Sequence, residues 1–173
     1  MDILHAIGNT SIVRLRKVVP PGCARVLVKL EWENPTGSMK DRMALAVISR
    51  GVATALKRHD PRIRADADEP AESPVLLGGQ PGPHKIEGVG IGYTPPLWDP
   101  SLFDGIEAVA TADAKEMARR LAREEALFAG TSSGANVVAA IRVAERLGPE
   151  ATVVALLCDS GLKYLSTDIY RRG

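Results

Sequence analysis

Short runs of β-branched and aliphatic residues alternate with longer stretches of helical spacing along the chain. The runs at residues 26–30 and 152–157 predict two buried strands, and a shorter run at 106–110 predicts a third. Residues 65–69 alternate alanine with acidic residues, so that neither face is a good core face. We therefore expect a weak or edge strand, or a loop, at this last segment.

Apolar residues at helical spacing predict four helices, at residues 39–60, 111–125, 135–147 and 161–171. The first has an apolar stripe made of Leu45, Ile48, Val52 and Leu56. Pro61 stops it, and either Thr111 or Asp113 can begin the second, in which Met117 and Leu121 point inward. Residues 70–105 are rich in proline and glycine and are expected to be mostly loop. Strands alternating with helices predict an α/β fold, a layered and mostly parallel sheet flanked by helices.

The bulk composition narrows the function classes. A chain of 173 residues is long enough for a single domain, which we assign to residues 1–173. The net charge of +1 gives no field that attracts nucleic acid or an anionic membrane. No apolar run is long enough to span a bilayer, and residues 1–5 lack the layout of a signal peptide. We expect a cytoplasmic protein in which Cys23 and Cys158 are reduced thiols.

Several residues are candidates for catalysis or ligand binding, and each also has a purely structural explanation. Lys40 begins a helix behind Ser38, where it is either a reactive amine or a solvated lysine. Ser132 and Ser133 precede a helix and would be selected as caps there. The glycines from Gly88 onward permit close approach of a ligand, although a flexible loop is an equal alternative. His84 has no metal-ligand partner in the sequence, so we expect a loop histidine and no metal site.

Five segments in a fixed order resemble one family. They lie at residues 7–15 (IGNTSIVRL), 29–42 (ending in NPTGSMKDR), 84–90 (HKIEGVG), 130–135 (GTSSGA) and 159–167 (DSGLKYLST). Together they resemble the cysteine synthases, also called O-acetylserine sulfhydrylases, which are pyridoxal-phosphate-dependent β-substitution enzymes of fold type II. Ser11 departs from the proline that is usual in this family. The resemblance implies the large-domain fold of these enzymes.

The resemblance also implies roles for individual residues. Lys40 matches the lysine that forms a Schiff base with pyridoxal 5'-phosphate and removes the α-proton of O-acetyl-L-serine, after which acetate leaves and sulfide adds. Ser132 matches the serine that meets the pyridine nitrogen, and Gly88 lies in the matching substrate-side loop. The family acts on small amino-acid substrates and is commonly homodimeric.

Two of the family's motifs do not occur in this chain. One is the Thr-Ser-Gly-Asn-Thr-Gly loop that holds the substrate carboxylate, and the other is the Gly-Thr-Gly-Gly-Thr loop that cradles the cofactor phosphate. The sequence departs from the family near residues 49–52, as if on the order of a hundred residues, a small domain, were deleted there. We therefore expect cysteine synthase activity that is impaired or absent.

Three alternatives to an impaired cysteine synthase stay open. The first is a non-catalytic scaffold, engineered or naturally remodelled from the large domain. The second is a weak cofactor binder without turnover, and the third is a cystathionine β-synthase-like activity. The ending at residues 164–167 and the lack of a regulatory extension favour cysteine synthase over the third.

Overall fold

The computed structural model describes residues 6–40, 52–95 and 98–170. The strands are β1 (Ile12–Arg14), β2 (Arg25–Leu30), β3 (Asp66–Pro70), β4 (Gly105–Val109) and β5 (Thr152–Leu157). The helices are α1 (Val52–His59), α2 (Thr111–Glu124) and α3 (Thr131–Leu147), with short 3-10 helices at Glu31–Glu33, Pro100–Leu102 and Gly161–Tyr164. Of the helices in these residues, none is long and apolar enough to cross a bilayer.

The strands form two ladders. The first has the order β1-β2-β5, in which β2 runs antiparallel to β1 and parallel to β5. The second pairs β3 with β4 in parallel. The expected mostly parallel α/β fold is confirmed, but no ladder joins the two sheets among the described residues. The Ala-Asp alternation does form a strand, since β4 supplies its backbone partners.

Helix α3 holds the two sheets together. Its apolar residues pack with strand residues such as Val28 and Leu157, and with Leu121 of α2, in the main core cluster. The Arg142 guanidinium of α3 donates to the Ala108 carbonyl of β4 at 2.7 Å, which ties the same helix to the second sheet. As predicted, Met117 and Leu121 point into the core.

Several boundaries and burial assignments differ from the sequence predictions. Helix α3 begins four residues before Ala135, because its first turn is packed in the interior. The expected last helix is only the 3-10 turn Gly161–Tyr164. Strand β5 is buried toward its C-terminal end only, and Val154 is 56% exposed. Helix α1 ends at His59 as predicted, but Leu56 is 40% exposed, and Leu45 and Ile48 lie outside the described residues.

Glu125 fixes the loop that leaves β1. Its Oε1 accepts hydrogen bonds from the backbone N–H groups of Arg16, Lys17 and Val18, at 2.8 Å from Arg16 and 3.1 Å from Val18. We expect Glu125→Ala to lower the free energy of unfolding by about 1–3 kcal/mol, because these donors lose a charged acceptor. Urea denaturation measures the change. Glu145→Ala, which removes an exposed helical carboxylate, is the control, and an equal loss in both variants would contradict the prediction.

Candidate active site

The turn before Lys40 is built by Asn34 and Gly37. The Gly37 N–H donates to the Asn34 carbonyl at 2.8 Å, and Gly37 has a φ of 71°, which glycine adopts without strain. Ser38 then accepts the Lys40 backbone N–H on its hydroxyl at 3.3 Å. This contact agrees with the predicted capping role of Ser38. Asp41, the other member of the predicted capping box, lies outside the described residues.

The same turn is tied to the end of β5. The Met39 N–H donates to the Cys158 carbonyl at 2.8 Å, and Ser38 forms an isolated antiparallel bridge with Asp159. Lys40 therefore lies at the carboxyl end of the parallel pair β2 and β5. Ligands of α/β proteins generally bind at this end of the strands.

The first turn of α3 meets the same segment. The N-cap of α3 is Gly130, and no side chain caps the helix. Ser132 and Ser133 are buried in the first turn, so their interpretation as caps is wrong. The Ser133 hydroxyl oxygen accepts the Cys158 N–H at 2.9 Å, and the Ser132 hydroxyl lies within hydrogen-bonding reach of the Cys158 thiol.

Cys158 is a free cysteine at the centre of these contacts. Burial raises the pKa of its thiol to about 11, and the Ser132 hydroxyl offsets only part of this shift. The nearby Asp159 and Asp68 carboxylates raise it further. The thiol is therefore protonated at neutral pH, and Cys158 serves here as a positioning group rather than a nucleophile.

The glycine loop at residues 88–92 also reaches this site. The Glu87 N–H donates to Thr131 Oγ1 at 3.4 Å, which places the loop against the start of α3. Gly88 has a φ of 83°, and a Cβ built on it would lie 4.0 Å from Lys40 Nζ. The structure thus brings Gly88 beside the Lys40 amine. His84 shapes this loop: its Nε2 lies 2.9 Å from the Gly90 carbonyl, as fits a loop histidine.

One part of the site was missed at the sequence level. Asp159 and Tyr164 are buried, and the Tyr164 hydroxyl donates to Asp159 Oδ2 at 2.8 Å. Burial, and then the neighbouring Asp159 carboxylate, raise the pKa of the Tyr164 hydroxyl. Both residues lie in the motif at 159–167, but the bridge between Asp159 and Ser38 is long-range and leaves no spacing signal.

The chemistry of these residues fits the aldehyde and the ring nitrogen of pyridoxal phosphate. Gly88 has no side chain, so the Lys40 amine has space beside it for the reactive aldehyde carbon. The buried, neutral hydroxyl of Ser132 suits the ring nitrogen. The described residues include no group of three or more His, Cys, Asp or Glu side chains placed to hold a metal ion.

The chain is similar to known proteins. Residues 49–159 match the family model described as "Pyridoxal-phosphate dependent enzyme", a range that includes Gly88 and Ser132 but not Lys40. A cysteine synthase of Staphylococcus aureus is 48% identical over 120 residues, which are 69% of this chain and 39% of that protein. A probable cysteine synthase of Bacillus subtilis is 39% identical over 155 residues, or 90% of this chain and 49% of that protein.

A solved structure gives the fold. The cysteine synthase of Entamoeba histolytica aligns with a TM-score of 0.87 over 99% of this chain and 91% of that chain, at 22% identity. This confirms the fold-type-II architecture. The chain spans about half or less of the length of the curated relatives above. By its family model, it belongs to the pyridoxal-phosphate-dependent enzymes, and the members it is similar to are cysteine synthases.

Proposed function

We propose that this chain binds pyridoxal 5'-phosphate at Lys40 and retains a strongly impaired cysteine synthase activity. The reaction would be the β-replacement of O-acetyl-L-serine with sulfide to give L-cysteine. The observation that carries the proposal is the position of Lys40 Nζ, 4.0 Å from the point where a Cβ on Gly88 would lie. The first turn of α3, which contains Ser132, lies on the same strand end. The chain would act as one domain, and a homodimer is part of the proposal.

Each remaining residue has a task in this reaction. The bound cofactor would supply an electron sink for the substrate's α-carbon. The Lys40 amine would hold the cofactor and then take the α-proton, for which its neutral form is required. The Ser132 hydroxyl would orient the ring through its nitrogen without adding a charge. Gly88 would let the loop backbone approach the substrate, since no side chain intervenes.

The expected impairment follows from what the chain lacks. Neither the carboxylate loop nor the phosphate loop of the family occurs in the sequence. Each lost charge-assisted hydrogen bond is worth about 1.5–3 kcal/mol, so losing several weakens binding by roughly three orders of magnitude or more. The same absence favours the second candidate, a non-catalytic scaffold that keeps the large-domain fold.

Covalent trapping tests cofactor binding directly. The protein is incubated with pyridoxal phosphate, reduced with borohydride and digested, and the modified peptide is identified by mass spectrometry. We expect the adduct on Lys40 and its loss in Lys40→Ala. Lys163→Ala, which removes an exposed lysine from the turn Gly161–Tyr164, is the control and should keep the adduct. Labelling spread over surface lysines, unchanged by Lys40→Ala, would favour the scaffold.

Turnover is measured separately. Cysteine formation from O-acetyl-L-serine and sulfide is followed in the wild type and in Lys40→Ala at saturating cofactor. A slow rate that disappears in the variant supports the retained activity. Equal rates in both proteins would refute it, even if Lys40 carries the adduct.

A further inference from the structure

A second candidate site lies at the opposite end of the first sheet. A partly open cleft of about 520 Å³ is bounded by β1, β2 and their connection. Its lining includes three arginines, Arg14, Arg16 and Arg25. Arg25 pairs with Thr152 at the first positions of the parallel ladder, whereas the Lys40 turn meets the other end of β5. Six strand residues separate the two ends by about 20 Å, so the cleft is distinct from the candidate active site.

The sheet register brings Arg14 and Arg25 to one face. Arg14 pairs with Leu27, and the Leu15 N–H donates to the Val26 carbonyl at 3.0 Å, which continues the same register. The paired residues end at Arg14 and Leu27, and Arg16 lies just beyond the ladder, where it lines the cleft together with Arg14 and Arg25. Arg25 and Leu27 share one face of β2, which places Arg25 on the face of Arg14. All three arginines are exposed, and like charges held close together repel one another.

No carboxylate compensates this charge within the cleft. Its lining residues include no aspartate or glutamate. Across residues 6–40, 52–95 and 98–170, the ion pairs involve other arginines and none of these three. Glu125 is near, but its Oε1 accepts the backbone N–H groups of the loop at Arg16, Lys17 and Val18. The arginines therefore keep their donor groups available for a ligand.

From this arrangement we infer that the cleft binds a soluble anion that carries two or more phosphate groups. A guanidinium group presents a planar fork of donors that matches a phosphate bidentately. Arg16 and Arg25 can each take one phosphate group, with Arg14 in the same lining. A cleft of about 520 Å³ lies within the usual range for small-molecule sites. The bound anion would also reduce the repulsion among the three arginines.

Calorimetric titration with tripolyphosphate at low ionic strength tests the inference. We expect saturable binding, weakened roughly tenfold or more in Arg16→Ala and in Arg25→Ala, because each removes a charge-assisted pair. Arg16→Lys keeps the charge but not the fork, so an intermediate loss is expected. Arg58→Ala, which removes an exposed arginine of α1, is the matched control and should bind as the wild type does.

Two further titrations identify the class of ligand. A glutamate-rich peptide of matched charge should bind more weakly than tripolyphosphate. Phosphatidylcholine vesicles containing phosphatidylinositol bisphosphate should not bind more tightly than the soluble anion. Absence of saturable binding would overturn the inference, and so would an equal loss in Arg58→Ala. Preference for the peptide or for the vesicles would replace it by a protein or a membrane partner.

Discussion

Gly134→Ala is expected to destabilise the protein by about 2 kcal/mol or more, because the added methyl group meets the backbone of a neighbouring helix. Gly134 lies in the first half of α3, where the helix crosses α2. A Cβ at this position would lie 2.0 Å from the Ala114 carbonyl oxygen and 3.1 Å from the Ala118 nitrogen. Both are backbone atoms of α2, so the helices must move apart. Overpacking of this kind costs about 1–3 kcal/mol or more and outweighs the alanine's better helix propensity of about 1 kcal/mol.

The same displacement should reach the candidate active site. Ser133 precedes Gly134, and its hydroxyl holds the Cys158 N–H. Moving α3 therefore shifts Ser132 and Ser133 relative to the Lys40 turn. We expect Gly134→Ala to reduce cofactor trapping at Lys40 as well as stability.

Urea denaturation and the trapping assay together check this prediction. Gly105→Ala is the matched control, since its Cβ would first meet Asp66 Oδ1, the end of a side chain that can rotate away. We expect a change of less than about 1 kcal/mol there. Equal stabilities of the wild type and Gly134→Ala would show that the two helices separate without cost.

Local pattern predicted most of the regular elements. The β-branched runs became β2 and β5, and the inward-facing Met117 and Leu121 identified α2. These assignments succeeded because burial on one side of an element leaves a period in the sequence. The start of α3 was missed, since its buried Thr131 and Ser132 look like the residues of a cap.

The candidate site depends more on long-range contacts than on pattern. The family resemblance supplied Lys40, Ser132 and Gly88, and the structure brings Gly88 to Lys40. The connecting segment at Cys158 and Asp159 acts largely through backbone hydrogen bonds to Met39 and Ser133. All residues except proline carry the same backbone N–H and C=O groups, so no sequence pattern indicates this role. The division into two sheets was also not predictable, because strand order depends on tertiary packing.

Asp68→Asn is expected to make stability less dependent on pH. Asp68 lies in β3 opposite Glu107, and no ion pair of the described residues involves it. Burial raises the pKa of its carboxyl from 3.8 to about 6. The protonated carboxyl favours the folded state fully below pH 3.8, and this contribution is lost as the pH rises through about 6. Above that pH the wild type carries a cost of roughly 2–3 kcal/mol.

The free energy of unfolding of Asp68→Asn should therefore equal that of the wild type near pH 3.8. Above about pH 6 it should exceed the wild-type value by roughly 2 kcal/mol. Urea denaturation of both proteins at a series of pH values measures the difference, in which the titration of all other groups cancels. Glu150→Gln, at an exposed carboxylate between α3 and β5, should leave the profile unchanged. A stability difference that stays constant with pH would show that Asp68 is solvated. A gain that grows with pH would show that β3 is held in the fold despite a desolvated charge.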